Sequence, residues 1–440
     1  MSGLAKQMNN QRVAKAVVGV ALALSLGTVA HAQEMAVKWK GAPEFSNDDV
    51  SFKVRGRFLM DAVFQDVSRE GTLSDFKTRS VRGRQAFIGV EGKLNSKFAY
   101  KFEGGFVNGG TSSWDDAVLE YKALETTSIL FGNIKAAGLE NLTSTRFTEF
   151  LDRGPYGDFG VDSYLLGVVV KSNGPNWTVT GAAQGASLNS GDFNQACLAN
   201  VQTVTTTATT SCNSKEQMVY TGRVSVAPIL TDDNQVHLAA SVRQRDRGSQ
   251  GAFAYAARPN TNFGTNGAYL NSGGVADKDT TIAVEGAWVH KNLSVQTEYS
   301  AISFNRIAGQ AGGDGDVKVG YVFATWAPTG EVRAYDPTKG EFGRTKILDP
   351  ITAGGKGGWV LGARYDYADL KGAYNGTPNQ VMTGGTSLAG QYKAVTLGAT
   401  YYPMSYVRFM ANYTDAKIDN PARLSDVGVK QMQLRAQIDF

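Results

Sequence analysis

Hydrophobic and polar residues alternate strictly at the carboxy-terminal end of the chain, over residues 429–440. The apolar positions are Met432, Leu434, Ala436, Ile438 and Phe440, and the polar positions are Gln431, Gln433, Arg435, Gln437 and Asp439. Successive side chains of a β-strand point to opposite faces, and roughly 9 to 11 tilted residues cross a bilayer, so this segment is typical of a membrane strand. A soluble edge strand can show the same alternation, and the rest of the chain has to decide.

Comparable alternation recurs along the whole chain. In residues 52–64, Phe58 and Phe64 belong to an apolar face, whereas Arg55 and Arg57 belong to a cationic one. Further segments lie at 82–92, 98–106, 117–122, 127–134, 164–171, 176–185, 217–227, 236–245, 280–290, 293–299, 317–327, 359–366, 391–402 and 407–414. With the carboxy-terminal segment the count is about 16, and single-chain bacterial barrels have an even number of strands. The sequence therefore predicts an all-β fold, a transmembrane antiparallel β-barrel.

The connections between these segments are of two kinds. Short polar ones, such as residues 231–234, contrast with long ones at 186–216, 246–279 and 370–390. Short periplasmic turns and long external loops are typical of such barrels. The segment 135–163 is also long, and it follows the fifth predicted strand. We expect it to be the third external loop and to fold into the pore, although an ordinary outward loop is the alternative.

The amino terminus has the pattern of an export signal. Lys6, Arg12 and Lys15 precede an apolar run at residues 16–26, and Ala30-His31-Ala32 is a small-x-small cleavage site. No later segment offers about 18 consecutive apolar residues, so a helical anchor is not expected. The expected organisation is a signal peptide at 1–32, a short periplasmic segment at 33–51 and a barrel at 52–440, in the outer membrane of a Gram-negative bacterium.

Composition agrees with this prediction and limits the role of overall charge. The 440 residues include 51 Gly, 18 Tyr and only 11 Pro, as many strands joined by turns would require; a soluble multidomain β-protein could share this composition. The net charge of +4 includes the three basic residues of the signal, so the mature chain is near +1. Selectivity for anions must therefore come from where the cations lie.

Cysteine and histidine are scarce, and this argues against several chemistries. Cys197 and Cys212 flank a Thr-rich stretch, and in an oxidising compartment a disulfide between them is the leading interpretation, with two free thiols as the alternative. Neither has a nearby His or a Cys-x-x-Cys spacing, so no metal site is expected. After removal of the signal only His237 and His290 remain, and neither lies in a catalytic motif. We expect no enzyme activity, no cofactor and no nucleic-acid partner.

Strand parity identifies the cations expected to face a water-filled lumen. They are Lys53, Arg55, Arg57, Lys101, Arg223, Arg243, Arg364, Arg408 and Arg435, joined by Arg146 and Arg153 from the segment 135–163. Arginine suits phosphate and carboxylate because its planar guanidinium donates two parallel hydrogen bonds. The alternative is pairing with carboxylates of the same face, which are Glu103, Glu120, Glu298, Asp366 and Asp439. Arg55 and Arg57 are the strongest candidates, since their own strand has no acidic residue of their parity closer than Asp61.

Several short motifs, in order, resemble those of the phosphate-selective porin O and P family. They are Trp39-Lys40-Gly41-Ala42-Pro43-Glu44-Phe45, Phe52-Lys53-Val54-Arg55-Gly56-Arg57-Phe58, Arg82-Gly83-Arg84-Gln85-Ala86-Phe87, Asp115-Asp116-Ala117-Val118-Leu119-Glu120-Tyr121, Gly138-Leu139-Glu140, Glu285-Gly286-Ala287-Trp288, Thr329-Gly330-Glu331 and Arg364-Tyr365-Asp366. The resemblance implies a homotrimeric outer-membrane porin of 16 strands, whose third loop constricts the pore and whose arginines conduct anions to a phosphate site.

The resemblance also assigns individual positions. Arg57, Arg84 and Asp115 match pore positions of the family, and Phe87 matches one tied to the choice between phosphate and longer phosphates. The family places Lys directly after Gly-Leu-Glu, whereas this chain has Asn141. Loss of that cation would weaken phosphate binding.

Three functions remain in view after these observations. The first is a passive porin for small anions such as phosphate, and its variant is a general small-solute porin. The second is a barrel that acts as receptor or adhesin through long loops, and the third, a barrel hydrolase, is disfavoured by the shortage of His. The expected partners are outer-membrane lipid, small anions, other copies of the chain, and the barrel-insertion machinery, which would recognise the strand ending in Phe440.

Overall fold

The computed structural model describes residues 35–39, 41–69, 74–106, 113–189, 216–248, 251–261, 270–310, 312–373, 390–419 and 426–440. Cys197 and Cys212, and therefore the expected disulfide, lie outside the described residues, as does the export signal. None of the helices within the described ranges has the length and apolar character needed to span a bilayer.

Strands account for most of the described chain. They are β1 (Ala36–Trp39), β2 (Pro43–Ser46), β3 (Ser51–Arg69), β4 (Phe76–Lys93), β5 (Phe98–Gly105), β6 (Ser113–Leu124), β7 (Thr127–Ile134), β8 (Leu165–Asn173), β9 (Trp177–Gln184), β10 (Met218–Leu230), β11 (Asn234–Asp246), β12 (Phe253–Ala257), β13 (Leu270–His290), β14 (Leu293–Arg306), β15 (Gly315–Trp326), β16 (Tyr335–Asp336), β17 (Glu341–Phe342), β18 (Gly358–Asp369), β19 (Gln391–Met404), β20 (Val407–Asp419) and β21 (Val427–Asp439). The helical elements are the short α-helix α1 (Leu139–Leu142), a π-helical turn (Tyr156–Gly160) and two 3₁₀ turns (Ile351–Ala353 and Lys371–Ala373).

The main sheet closes on itself as a barrel. It contains 19 strands, of which β1, β2 and β12 lie outside the closed wall, so that 16 strands form the wall. Each wall strand is antiparallel to its neighbours, and β21 pairs with β3 to complete the circle. The predicted fold class and strand number are therefore confirmed. The first described residues and the carboxy-terminal residue lie at one end of this barrel, which we call the terminal end.

The predicted alternation describes the two faces of the wall. In β21 the inward residues Gln433 and Asp439 are 1% and 2% exposed, whereas the outward Ile438 is 48% exposed. Four of the six tryptophans, Trp177, Trp288, Trp326 and Trp359, are exposed near the terminal end of their strands. Such aromatic residues flank the apolar band of membrane barrels, where an amphipathic ring lies at the headgroups. The outer surface is thus built to face lipid.

The carboxy-terminal residue closes the seam between the last and first wall strands. The Phe440 N–H donates to the Gly56 carbonyl at 2.9 Å, and the Gly56 N–H donates to the Phe440 carbonyl at 3.0 Å. A Cβ at Gly56 would lie 2.7 Å from Phe440 Cζ, so the absence of a side chain there makes room for the aromatic ring. β2 extends the same sheet by pairing with the first residues of β3.

Two stretches differ from the expected connections. Residues 270–279 were expected in a loop but form the first half of β13, against which β12 pairs as an extension beyond the wall. The sequence there is largely polar and contains two glycines, and its buried apolar residues Leu270, Val275 and Ala276 do not alternate, so the pattern predicted no strand. At the terminal end, where turns are otherwise short, residues 327–357 form an unpredicted long connection between β15 and β18. We call it the terminal-end segment.

Gly132 provides a test of the wall geometry. Its φ is +138°, and a Cβ there would lie 1.9 Å from the Ala117 carbonyl oxygen on the neighbouring strand. We expect Gly132→Ala to destabilise the barrel by about 2 kcal/mol, because the backbone conformation and the strand contact both exclude a side chain. Gly181→Ala is the control, since a Cβ at Gly181 meets nothing within 4 Å. Urea unfolding in lipid vesicles measures both, and equal stability of the two variants would contradict the prediction.

Candidate functional site

Residues 135–164, which we call loop 3, contact the inner face of the wall on several sides. Glu298 on β14 accepts hydrogen bonds from the backbone N–H groups of Leu139 (2.7 Å) and Glu140 (2.8 Å) at the start of α1. Arg408 on β20 donates to the Thr148 carbonyl at 2.7 Å, and Arg435 on β21 donates to the Leu151 carbonyl at 2.9 Å. Since β14 lies apart from the adjacent strands β20 and β21 in the wall, loop 3 crosses the space that the barrel encloses.

The terminal-end segment approaches loop 3 from the opposite end of the barrel. Arg333 forms an ion pair with Glu149 at 3.1 Å, and the Phe342 N–H donates to Thr143 Oγ1 at 3.1 Å. Arg223 on β10 donates to the Gly340 carbonyl at 3.1 Å and so fixes the segment to the wall. The lumen is therefore narrowed both by loop 3 and by the terminal-end segment. The alternation in the sequence gave no indication of the terminal-end segment.

A buried carboxylate organises the first group of expected pore cations. Glu103 on β5 is fully buried, and its oxygens lie 2.9 Å from Arg57, 2.7 Å from Arg146 and 3.3 Å from Arg55. Arg55 also pairs with Glu91 on β4. Arg55 and Arg57 were ranked highest because their own strand carries no nearby acidic residue of their parity, but both are paired. Their partners come from other strands, and strand parity along one segment cannot reveal them. Contact of either arginine with a permeating anion stays a prediction.

Arg57 has further partners that hold its guanidinium in place. It pairs with Asp115 on β6, donates to Gln85 Oε1 at 2.8 Å, and lies 4.2 Å from the centre of the Phe87 ring. The motif positions Arg57, Phe87 and Asp115 are therefore brought together. Arg57 itself is only 4% exposed.

A β-bulge turns two consecutive carboxylates toward this group. Opposite Glu103, the pairing of β5 with β6 skips, so that Asp115 and Asp116 together face a single residue. Such an insertion reorients side chains that would otherwise alternate. Asp115 pairs with Arg57, and Asp116 pairs with Lys101 at 2.6 Å. This group, which we call the Glu103 cluster, balances Arg55, Arg57, Lys101 and Arg146 against Glu91, Glu103, Asp115 and Asp116.

Arg84 also owes its position to a bulge. In the pairing of β3 with β4, Leu59 faces Gln85 and Met60 faces Gly83, so Arg84 is the inserted residue. Within the part of the chain that the structure describes, its one ion pair is a 4.0 Å contact with Asp152 of loop 3, and its side chain is 24% exposed. Among the motif residues it is the cation whose geometry is best suited to meet a solute.

Asn141 lies inside loop 3 rather than at its surface. The residue is 5% exposed, and its amide donates to the carbonyl oxygens of Ala137 at 3.0 Å and Asp162 at 2.8 Å. These bonds hold the two ends of the loop together. Its role in anion binding stays a prediction, but a lysine at this position would lose both bonds.

Three cations that bond to carbonyl oxygens of loop 3 have no carboxylate oxygen in ion-pair range among the described residues. Arg153 donates to the carbonyls of Glu140 at 2.8 Å and Thr143 at 2.7 Å. Lys135 donates to the Asn141 carbonyl at 2.9 Å, and Arg408 bonds to loop 3 carbonyls. Carbonyl oxygens orient these cations without cancelling their charge. Lys135 was not among the expected pore residues, because strand parity does not extend into a loop.

The arginines among the remaining predicted cations are paired, which is the alternative that the sequence left open. Arg223 and Glu285 form a bidentate pair, which His237 joins, and Arg243 lies 3.2 Å from Asp162. Arg364 pairs with both Glu140 and Asp366, and Arg435 pairs with Asp61. Lys53 has intermediate exposure near the terminal end of β3. Most of these arginines therefore link loop 3 or the terminal-end segment to the wall.

The family model described as phosphate-selective porin O and P matches residues 52–440. The chain belongs to this family. It is similar to Porin O of Pseudomonas aeruginosa, with 25% identity over 438 residues that cover 91% of this chain and 93% of that protein. The chain is thus a channel protein of the Gram-negative outer membrane and not an enzyme.

Solved structures with the same fold include an anion-selective porin from Comamonas acidovorans, at 11% identity and a TM-score of 0.53, with 89% of this chain and 100% of that chain covered. A loop-deletion mutant of OmpT, an outer membrane protein of Vibrio cholerae, matches at 12% identity and a TM-score of 0.51, with the same coverage. At such identity the likeness concerns the fold alone.

Proposed function

We propose that this porin is a passive channel that prefers small anions, with phosphate as the anion class that its lumen cations suit. The observation that carries the proposal is a set of three cations that bond to carbonyl oxygens of loop 3 and have no carboxylate in ion-pair range among the described residues. They are Lys135, Arg153 and Arg408, and the weakly paired Arg84 adds to their charge. The Glu103 cluster, by contrast, is balanced. Lumen charge sets which ions enter a water-filled pore, so the uncompensated cations give the pathway its sign.

Phosphate is the favoured solute class because guanidinium groups donate two parallel hydrogen bonds to tetrahedral oxyanions. The description of the matching family, phosphate-selective porin O and P, supports the same class. The alternative is a general small-solute porin, and Asn141 bears on the choice between the two. The family motif has a lysine at this position, and the cation that it would add is absent from this chain.

Phosphate block of chloride current tests the solute class. Purified wild-type protein is placed in a planar bilayer in chloride solution, and phosphate is then added. We expect the single-channel chloride current to fall, and to fall less in Arg84→Met, because that guanidinium is partly exposed and free to donate to the phosphate. Lys97→Met, on a turn at the terminal end, is the control and should behave as wild type. Absence of block in wild type would instead support the general small-solute porin.

We further propose that residues 1–32 are removed on export, that residues 33–51 remain in the periplasm and that the chain assembles as a homotrimer. The mass of the mature protein and the mass of the detergent-extracted complex measure these points directly.

A further inference from the structure

Lys135 is the first residue of loop 3, and its ammonium group lies in an unusual environment. Its side chain is half-buried, its Nζ donates to the Asn141 carbonyl at 2.9 Å, and it lies 4.5 Å from the centre of the Tyr164 ring. One of its three N–H donors is thus used by protein oxygen, and the ring offers only its π face. Lysine therefore has donors left for a solute.

The neighbouring cation is held in the same way. Arg153 bonds to carbonyl oxygens that flank the one used by Lys135, those of Glu140 and Thr143. Two positive groups thus lie side by side at the end of α1, and neither has a carboxylate in ion-pair range among the described residues. An anion between them would relieve their repulsion and use their remaining donors.

Charged groups face Lys135 from each element packed against it. They are Arg153 in loop 3, Asp115 and Asp116 on the β6 bulge and Arg57 on β3, together with the phenol of Tyr164. Arg57 neutralises Asp115, and Lys101 neutralises Asp116, so the two carboxylates cancel little of the charge on Lys135. Burial raises the pKa of Tyr164 well above its ordinary value, and this phenol stays neutral.

We infer that Lys135 is a specificity-determining residue, whose ammonium forms with Arg153 a binding site for small oxyanions and halides that is present only while Lys135 is protonated. This inference rests on the proposed anion preference. Burial, and then the charge of Arg153, lower the pKa of Lys135 to about 7. The ammonium is accordingly charged below that pH and neutral above it, and anion preference falls as pH rises through neutrality.

The test uses reversal potentials across a potassium chloride gradient, because chloride has no titratable proton in this range. Between about pH 6 and about pH 8.5, Lys135 loses its proton while ordinary carboxylates and arginines keep their charge. We expect the anion-to-cation permeability ratio of wild type to fall about four-fold, the factor for one unit charge about 5 Å away in water.

Two variants separate titration of Lys135 from other effects. Lys135→Arg keeps its charge at both pH values, so its ratio should stay high and flat, whereas Lys135→Met should be low and flat. Lys97→Met should keep the wild-type pH dependence. If Lys135→Met yields no channels, the flat profile of Lys135→Arg alone decides.

The outcomes distinguish the inference from the proposed function. An anion-selective wild type without pH dependence, or an unchanged pH dependence in Lys135→Arg, overturns the role of Lys135 and leaves the anion channel intact. A cation-selective wild type at both pH values overturns the proposed function itself.

Discussion

Arg57→Ala is expected to lower the anion-to-cation permeability ratio about four- to ten-fold, the largest effect on selectivity of any single change that we predict. Arg57 is almost completely buried, and it pairs with Glu103 and Asp115. Its removal exposes negative charge at a narrow place in the lumen. The effect therefore comes from uncovered carboxylates and not from loss of a direct contact with the permeating anion.

A double substitution tests this explanation. In Arg57→Ala/Asp115→Asn, one of the two uncovered charges is removed with its partner, so we expect the ratio to return most of the way toward that of wild type. Reversal potentials in a salt gradient measure both variants. If the permeability ratio of the double variant is as low as that of the single variant, Arg57 acts by contacting the anion directly. If neither differs from wild type, the Glu103 cluster lies away from the ion pathway.

Glu298→Ala is expected to give the second large effect, on conductance. The Glu298 carboxylate receives two backbone N–H groups of loop 3 and the hydroxyl of Tyr321, so its loss leaves buried donors without an acceptor. Each buried donor left without an acceptor costs about 1 to 3 kcal/mol. We expect loop 3 to detach locally, the single-channel conductance to rise roughly two-fold, and the open-channel current to become noisier.

Glu120→Ala is the matched control for this prediction. Glu120 is also a wall carboxylate, but its described partner is Ser128 on the adjacent strand, and no backbone group of loop 3 depends on it. Single-channel recordings of Glu298→Ala and Glu120→Ala under identical conditions should therefore differ. Equal conductance in both variants would show that loop 3 stays in place without Glu298.

Much of the wall could be predicted from sequence because its physics is local. A period of two places Arg435 and Asp439 inside and Ile438 outside, since a strand in a membrane barrel has lipid on one face and water on the other. The alternation was weakest where the wall departs from a regular strand. Arg84 and the Asp115-Asp116 pair lie at bulges, where one inserted residue shifts the parity that the prediction relied on.

The charge pattern of the lumen could not be predicted in the same way. Arg55 looked unpaired along its own strand, but Glu91 and Glu103 reach it across the sheet, and this pairing depends on register between strands. Lys135 and Asn141 belong to a loop, for which no period exists. The terminal-end segment was missed because its few strand residues form only the two-stranded β16–β17 sheet, apart from the wall.

These observations change how anion preference is assigned. The expected cations were counted by parity, but most of them are neutralised by a carboxylate and serve to hold loop 3 and the terminal-end segment. We therefore propose that the positive charge on the ion pathway comes from groups held by carbonyl oxygens, chiefly Lys135 and Arg153, and from the weakly paired Arg84.

The reversal potential of the wild-type channel across a potassium chloride gradient, at a pH below neutrality, tests the central claim most directly. Uncompensated lumen cations predict a potential displaced toward the chloride equilibrium value. A potential displaced toward the potassium equilibrium value would contradict the account. It would mean that the ion selectivity is set by the lumen carboxylates and not by the cations that bond to carbonyl oxygens of loop 3.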